Sequence, residues 1–285
     1  MDIDNKKPGK LYICPTPIGN LGDITQRTLE ILKSVDVIAA EDTRNTLRLL
    51  NHFEIKSFLT SYHEYNKYDK AEELIKMLRE GKNIACVTDA GTPGISDPGE
   101  VLVSKCIMSG IEVFSLPGAT AFVTALTVSG LPTGRFVFEG FLPKDKKERM
   151  EALSGLSDEI RTIILYEAPH RLKRTLEELS KVLGADRKIA LCRELTKVHE
   201  EIIRLTIGEA EDYYSEKEPR GEYVLVIEGR SREDLIKEKQ DIFRNMPVKD
   251  HYEQYIASGM DRKEAMKAVA KERGVSKREI YRELL

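Results

Sequence analysis

The sequence predicts an α/β protein in two domains: a mostly parallel N-terminal sheet, then a second domain of mixed or antiparallel α+β character. A small helical segment follows at the C-terminus. Three observations lead there. Short apolar runs alternate with helical patterns as far as Leu131. After Leu131-Pro132-Thr133-Gly134 the apolar runs follow one another with few helices between them, which favours antiparallel pairing. From Ser231 the chain turns charged and helical. These shifts divide the sequence at 1–131, 132–230 and 231–285.

Leu11–Cys14 reads as a strand running into the rigid turn Pro15-Thr16-Pro17-Ile18-Gly19-Asn20. Asp23 precedes a helical pattern carried by Ile24, Leu29, Ile31, Leu32 and Val35. Val37–Ala40 is a buried strand ending in Glu41-Asp42-Thr43-Arg44, at the entry of a helix around Thr46–Phe53. Phe58–Tyr62 is a further strand, and Asp69–Glu80 an amphipathic helix that Gly81 stops. Ile84–Val87 is the central strand. Val101–Met108 is a helix, Ile111–Leu116 a strand and Ala121–Val128 a small-residue helix closed by Gly130.

In the second part, strands are predicted at Phe136–Phe141, Thr162–Tyr166, Ile189–Cys192, Ile202–Leu205 and Tyr223–Glu228, with one helix from Pro169 to about Leu183. Within the tail, Asp261–Leu285 carries eight Lys or Arg against five acids. Its Ala270, Gly274 and Ile280 are spaced for two helices meeting at a tight turn. That reads either as a helix-turn-helix or as a plain helical hairpin with a glycine stop.

The 285 residues are 41% hydrophobic, enough for ordinary cores, and the net charge of −3 gives no global signature of nucleic-acid binding. Any contact with RNA must come from local patches. Cys14, Cys86, Cys106 and Cys192 form no C-x-x-C pair and no metal-type spacing, so no metal site is expected. They read as small buried residues of a reducing compartment. The opening MDIDNKKPGK has no apolar core of an export signal, and no run is long and apolar enough to span a membrane; the expected location is the cytoplasm.

The most informative stretch is Val87–Gly99, VTDAGTPGISDPG, directly after the central strand. Its glycines allow a backbone to approach a ligand closely, and its prolines hold one shape. A phosphate loop needs amide donors and usually a lysine. This loop has neither Lys nor Arg, and carries Asp89 and Asp97 with Glu100 beside it. Carboxylates repel phosphate and attract an ammonium or a sulfonium. The competing reading is an ordinary strand-to-helix turn in which Asp97 caps the helix after Pro98. The loops Pro15–Gly19, Glu41–Arg44, Asp89–Gly99 and Pro117–Thr120 all follow strands, and ligands on parallel sheets bind beyond the strands' carboxyl ends.

The ordered set PTPIGNLGDIT (Pro15–Thr25), AAEDTR (Ala39–Arg44), VTDAGTPGISDPG, PGAT (Pro117–Thr120), FEGFLP (Phe138–Pro143), YEAPHR (Tyr166–Arg171), RELTK (Arg193–Lys197) and GEYVLVIEG (Gly221–Gly229) closely resembles the bacterial ribosomal small-subunit methyltransferase I family. That family lies in the tetrapyrrole-methylase-like superfamily of S-adenosylmethionine (SAM) enzymes. The resemblance covers about residues 10–230, and the basic helical tail is similar to the family's C-terminal segment.

It implies a two-domain fold, usually in a homodimer, with SAM in the cleft between domains. The implied reaction is 2′-O-methylation of cytidine 1402 of 16S rRNA, within the small ribosomal subunit or as free rRNA. By resemblance, SAM is walled by Pro17, Ile18, Asp89, Gly91, Thr92, Ile95, Ser96, Ala119, Thr120 and Tyr166. Glu194 and Lys197 are candidates for accepting or orienting the hydroxyl proton, with Arg193 placing a phosphate. His170 and Arg171, and the run Lys144, Lys146, Lys147 and Arg149, are candidate RNA contacts. Each has a structural alternative: an ion pair at a strand end for Arg193–Glu194, a helix N-terminal turn after Pro169, and a solvated helix face for the lysine run. Tyr62, His63 and Tyr65 are read either as base-stacking or as partly buried loop aromatics. Two other functions stay open. One is a methyltransferase of the same superfamily acting on a small molecule such as a tetrapyrrole; the other is a SAM- or RNA-binding module without catalysis.

Overall fold

Apolar runs of three or four residues, each followed by an amphipathic helix, give the first sheet its parallel order. In the computed structural model, which describes residues 7–244 and 246–285, this sheet has five strands. They are β1 (Leu11–Ile13), β2 (Val37–Ala40), β3 (Phe58–Ser61), β4 (Ile84–Val87) and β5 (Val113–Ser115), in the order β3-β2-β4-β1-β5 and all parallel. The charged opening residues 1–6, read above as lacking an export signal, lie outside the described residues.

β4 sits at the centre, and all four of its residues are buried. One face packs on α3 (Lys67–Arg79) and α4 (Gly99–Met108) through Leu74, Leu78, Leu102 and Cys106. The other face packs on α1 (Gln26–Ser34) and α2 (Thr43–His52) through Leu32 and Leu50. α1 starts at Gln26, not near Ile24, because Thr25 caps it by accepting the Thr28 amide. The four cysteines are buried and free, and burial pushes the thiols of Cys14, Cys106 and Cys192 up to about 12. Tyr62 belongs to this core as well. It is 2% exposed and its hydroxyl donates to the Pro98 carbonyl, so it does not stack on a base; Tyr65 is fully outside.

The second sheet is mixed: β6 (Phe136–Phe141), β7 (Thr162–Glu167), β8 (Lys188–Arg193), β9 (Glu201–Thr206) and β10 (Tyr223–Ile227), in the order β6-β7-β10-β8-β9. β6 and β7 are parallel and the remaining pairs antiparallel. α6 (Lys146–Gly155), α7 (Pro169–Leu183) and α8 (Ile207–Ser215) cover one face through Leu153, Leu172, Leu176, Leu179 and Ala210. The opposite face is covered by α5 (Ala121–Ser129), which precedes the Pro132 shift in sequence yet packs here, with Ala125 and Leu126 against Ile164, Ala190, Val224 and Val226.

α9 (Arg232–Arg244), α10 (Val248–Ala257), α11 (Arg262–Arg273) and α12 (Lys277–Leu284) form the tail. Gly274, at φ 66°, closes α11, and Ser276 opens α12 with a capping box. Not all of the tail's cations face solvent. Arg273 is buried, donating to His251 Nδ1 and to the Met246 carbonyl.

Two of the expected RNA contacts also turn inward. Arg149 is 1% exposed; its Nε meets Glu178 Oε2 at 2.5 Å and its Nη2 donates to Thr175 Oγ1 at 2.8 Å. Thr175 in turn donates to Glu167, whose carboxylate also faces Arg171 Nε at 3.5 Å. Arg171 donates to the carbonyls of Leu142 and Pro143. The charged run therefore wraps a helix whose inner face is marked by Arg149 and Leu153, four residues apart. Arg149 and Arg171 pin α6 and the β6 exit to α7, and neither presents a free guanidinium to RNA. Arg149→Met is expected to destabilise the fold by about 3 kcal/mol, since it strands part of a buried carboxylate that Arg174 also holds. Lys147→Met, on the exposed face, should move stability by less than about 0.5 kcal/mol. Urea unfolding of the two variants checks this.

Candidate functional site

The carboxyl ends of β1, β2 and β4 meet those of β6, β7 and β8 across one cleft, a cavity of about 580 Å³. Its first wall is built by two turns zipped together. Thr16 and Gly91 exchange both backbone hydrogen bonds, at 2.9 and 3.1 Å. Gly91 has φ 90°, and a Cβ there would press on Ile18, so this close approach requires glycine. Asp97 holds the rest of the loop: its carboxylate accepts from the amides of Gly94 and Gly99. Both readings of this stretch thus share one residue, because Asp97 secures the turn into α4 and also lines the cleft.

Acidic groups converge on this wall. Asp89 accepts from the Asp42 amide and from Asn45 Nδ2, both at 3.2 Å. Glu41 accepts from Thr88 Oγ1 at 2.5 Å and from the Asp89 amide at 3.2 Å. Desolvation in the cleft, followed by the charge of Glu41, lifts the Asp89 carboxyl above its ordinary range. Burial does the same to Asp97, against the amides it accepts from. Carboxylates that raise one another's pKa favour a cation between them, and the first wall of the cleft offers no Lys or Arg to supply one. Apolar groups share the lining: Ile18, Ile95, Ala121, Phe141 and the ring of Tyr166. Tyr166 is packed edge-on to Phe138 at 5.0 Å, and burial raises its hydroxyl pKa.

The opposite wall holds a second charged group. Glu194 Oε1 accepts from Lys197 Nζ and from the Glu222 amide, both at 2.9 Å, and Lys197 Nζ also meets Glu222 Oε2 at 2.8 Å. Burial would raise the Glu194 pKa, but the Glu222 amide and the Lys197 ammonium outweigh it and hold the carboxyl below its usual range. Desolvation would lower the Lys197 pKa, but Glu222 and Glu194 outweigh it and shift the ammonium upward. The pair is therefore a carboxylate and an ammonium at neutral pH. Glu194 Oε2 accepts no hydrogen bond among the described residues, which leaves it able to accept one.

Gly221, at φ 78°, makes room for this carboxylate, since a Cβ there would fall 2.5 to 2.7 Å from its atoms. Ser96, Glu194 and Thr196 are three of the four non-glycine residues with positive φ among the described residues. Backbone strain is concentrated around the cleft, as it commonly is at working sites.

Of the residues expected to wall SAM, the cleft brings together Ile18, Asp89, Gly91, Thr92, Ile95, Ser96, Thr120 and Tyr166. Ala119 stands behind them, its carbonyl accepting from Thr92 Oγ1 at 3.0 Å. Pro17 lines a neighbouring cavity of about 380 Å³ that shares Thr88 and Asp89. Glu194, Lys197 and His170 line the cleft, with His170 exposed. Arg193 lies outside it and pairs with Glu201 at 3.0 Å. Lys144, Lys146 and Lys147 are exposed and do not line the cleft. Glu41 and Glu222 are not among the residues that the sequence motifs mark as candidates. Each is a carboxylate next to a buried strand end, a position that marks the rim.

Among the described residues no cluster of His, Cys, Asp and Glu could hold a metal, and no helix is long and apolar enough to cross a membrane. An acidic, largely apolar cleft on the rim of a parallel sheet, without basic residues on its loop wall, fits the class of methyltransferases whose donor is a sulfonium. The family model described as Tetrapyrrole (Corrin/Porphyrin) Methylases matches residues 10–211. Uroporphyrin-III C-methyltransferase from Thermus thermophilus, solved complexed with S-adenyl homocysteine, shares the fold at a TM-score of 0.56 and 17% identity, over 77% of this chain and 97% of that one.

Two relatives are much nearer in sequence, and both are named ribosomal RNA small subunit methyltransferase I. The protein of Synechocystis sp. is 48% identical over 273 residues, covering 96% of each chain. That of Bacillus subtilis is 50% identical over 273 residues, covering 96% of this chain and 93% of that one. The chain belongs to the ribosomal RNA small subunit methyltransferase I family, within the tetrapyrrole methylases.

Proposed function

We propose that the protein methylates the ribose 2′-hydroxyl of cytidine 1402 of 16S rRNA, using SAM, in the decoding region of the small ribosomal subunit. The observation that carries this reading is the near full-length identity to relatives named for the small-subunit rRNA they act on. The proposed working form is a homodimer in the cytoplasm, a reading that rests on resemblance to the family.

The cleft suits the donor. Asp89, Glu41 and Asp97 provide negative charge for its cationic groups, and Ile18, Ile95, Phe141 and Tyr166 an apolar bed. Thr92, Ser96, Thr120 and the backbone at Gly91 supply polar contacts, with Ala119 and Pro17 buttressing them. Bound there, SAM supplies an electrophilic methyl group on a positively charged sulfur. The chain's part is to hold the acceptor hydroxyl in line with it, the source of most of the expected acceleration. Glu194 Oε2 accepts the hydroxyl's hydrogen bond and then its proton. Lys197 keeps Glu194 ionised and steadies the oxygen as negative charge develops on it. The exposed His170 of the cleft lining and the exposed Lys144, Lys146 and Lys147 meet the RNA backbone in this reading. Arg193 acts at one remove, through Glu201.

Incubating the protein and methyl-labelled SAM with small subunits that lack the modification tests the reading. Label is expected in one cytidine ribose of the decoding region. Label on a base, or on small molecules only, overturns it in favour of another member activity of the superfamily.

A further inference from the structure

A cavity larger than the cleft lies at the other end of the second sheet, and the reaction proposed above does not use it. It measures about 850 Å³ and is lined by Arg135, Arg161, Arg187, Arg230 and Arg232. β7 runs from this cavity at Thr162 to the cleft at Glu167, and β10 returns from the cleft at Tyr223 to the cavity beside Glu228. We infer that this cavity binds phosphate groups, and that in the working enzyme these are backbone phosphates of the RNA substrate on one side of the target nucleotide. The RNA part rests on the proposed function; the phosphate part does not.

The five guanidinium groups fall into two sets. Arg161 is chelated by Glu159, with contacts of 2.6 and 2.9 Å, and Arg230 pairs with Asp158 and Glu238. These two are neutralised and fix the walls. The guanidinium groups of Arg135 and Arg232 have no hydrogen bond or ion pair among the described residues. Arg187 gives Nη2 to the Ser157 carbonyl at 3.1 Å, while its Nη1 is buried with no hydrogen-bond partner among the described residues. A buried donor left unpaired carries a desolvation cost that an oxyanion in the cavity would offset.

Burial, together with the neighbouring charge of Arg230, lowers the Arg187 pKa, outweighing the opposing charges of Glu228 and Asp158. The acids of the lining do not cancel the set. Glu228 pairs with Lys188 at 3.3 Å, and among the described residues Asp186 and Asp234 make no ion pair with Arg135, Arg187 or Arg232. The volume is that of a nucleotide-sized site.

The separation fits an extended ligand. A six-residue strand is about 20 Å long, and single-strand bases stack at about 3.4 Å. A strand reaching both sites spans on the order of six nucleotides.

The test uses the whole protein and two probes: a fluorescent ribonucleotide 12-mer followed by anisotropy, and adenosine monophosphate followed by calorimetry. Arg135→Gln/Arg187→Gln is expected to weaken 12-mer binding by roughly tenfold and to flatten the log–log salt slope by about 0.7 for each phosphate that the variant no longer neutralises. SAM affinity should not move. Arg135→Gln/Arg232→Gln alters side chains that hold nothing in the fold, and should weaken binding in the same direction. If the 12-mer is unaffected and the monophosphate loses its binding, the cavity stands as a phosphate site and its source is a free nucleotide. If neither probe responds to either double variant, the inference is overturned. A wild-type protein that binds the 12-mer through these arginines yet labels no rRNA would sink the proposed function and leave the cavity in place.

Discussion

Asp89→Asn is expected to weaken SAM binding by about 100-fold, read by calorimetry, with the fold intact. The amide keeps the shape of the side chain and one acceptor for Asn45 Nδ2 or the Asp42 amide, so what disappears is the charge. A charge-assisted contact is worth about 1.5–3 kcal/mol, which is one to two decades of affinity. Glu41→Gln should cost less, since Glu41 acts partly by bracing Thr88 and the Asp89 amide.

The pH dependence follows from the direction of the shifts. Asp89 and Asp97 are raised above the ordinary value, so protonation neutralises them at a higher pH than it would a free carboxyl. Affinity for a cationic donor is therefore full well above that point and is lost as pH falls through it. For folding the sign is opposite: the stability these two groups withhold in their charged form returns on acidification. An Asp89 variant with unchanged affinity would make the residue a structural brace of the loop.

The second large effect is on turnover. Glu194→Gln and Lys197→Ala are each expected to lower the single-turnover methylation rate by about 10² to 10³, with SAM affinity kept within about twofold. Glu194 is held below the usual carboxylate range, so its accepting form persists through neutral and mildly acidic pH. Its contribution to rate, and to stability, is present above the ordinary value and is lost only as pH falls below it. Near-normal turnover in both variants would remove the pair from the chemistry and leave it as an anchor for the turn at Gly221.

The first sheet was legible because each strand is a short apolar run bounded by polar turns, and each helix has a single buried face. The bounds of β2 and β4 coincide with the apolar runs themselves. α8 was not legible: IGEAEDYYS is short, and its buried positions, Ile207, Ala210 and Tyr214, are too few to set a period. The charge argument about Val87–Gly99 rested on what the loop lacks, and Glu41 adds a further acid to the wall that the loop builds. Glu41 is hard to find in the sequence because a strand-end acid beside Asp42 looks like a helix cap, and Asp42 is indeed the cap of α2. Arg149 and Arg171 were misplaced for the opposite reason. A run of like charges reads as solvated, and only the helical period through Leu153 shows which member turns inward. Glu222 could not be found locally, since its partner Lys197 is distant in sequence and meets it only once β8 and β10 have paired.

The position of α5 bears on how the chain is made. The first sheet can close once residues through Ser115 have left the ribosome, because every strand it needs precedes that point. α5 emerges next, with Ala125 and Leu126 on a face that packs on strands of the second sheet, β7, β8 and β10 among them. The last of these, β10, ends at Ile227. Throughout the synthesis of the intervening segment the nascent protein carries an unsheathed apolar helix tethered to a finished sheet. That interval is when it is most exposed to aggregation or chaperone capture. Any attempt to express the second sheet alone should therefore begin upstream of Ala121, so that this helix travels with the strands it covers.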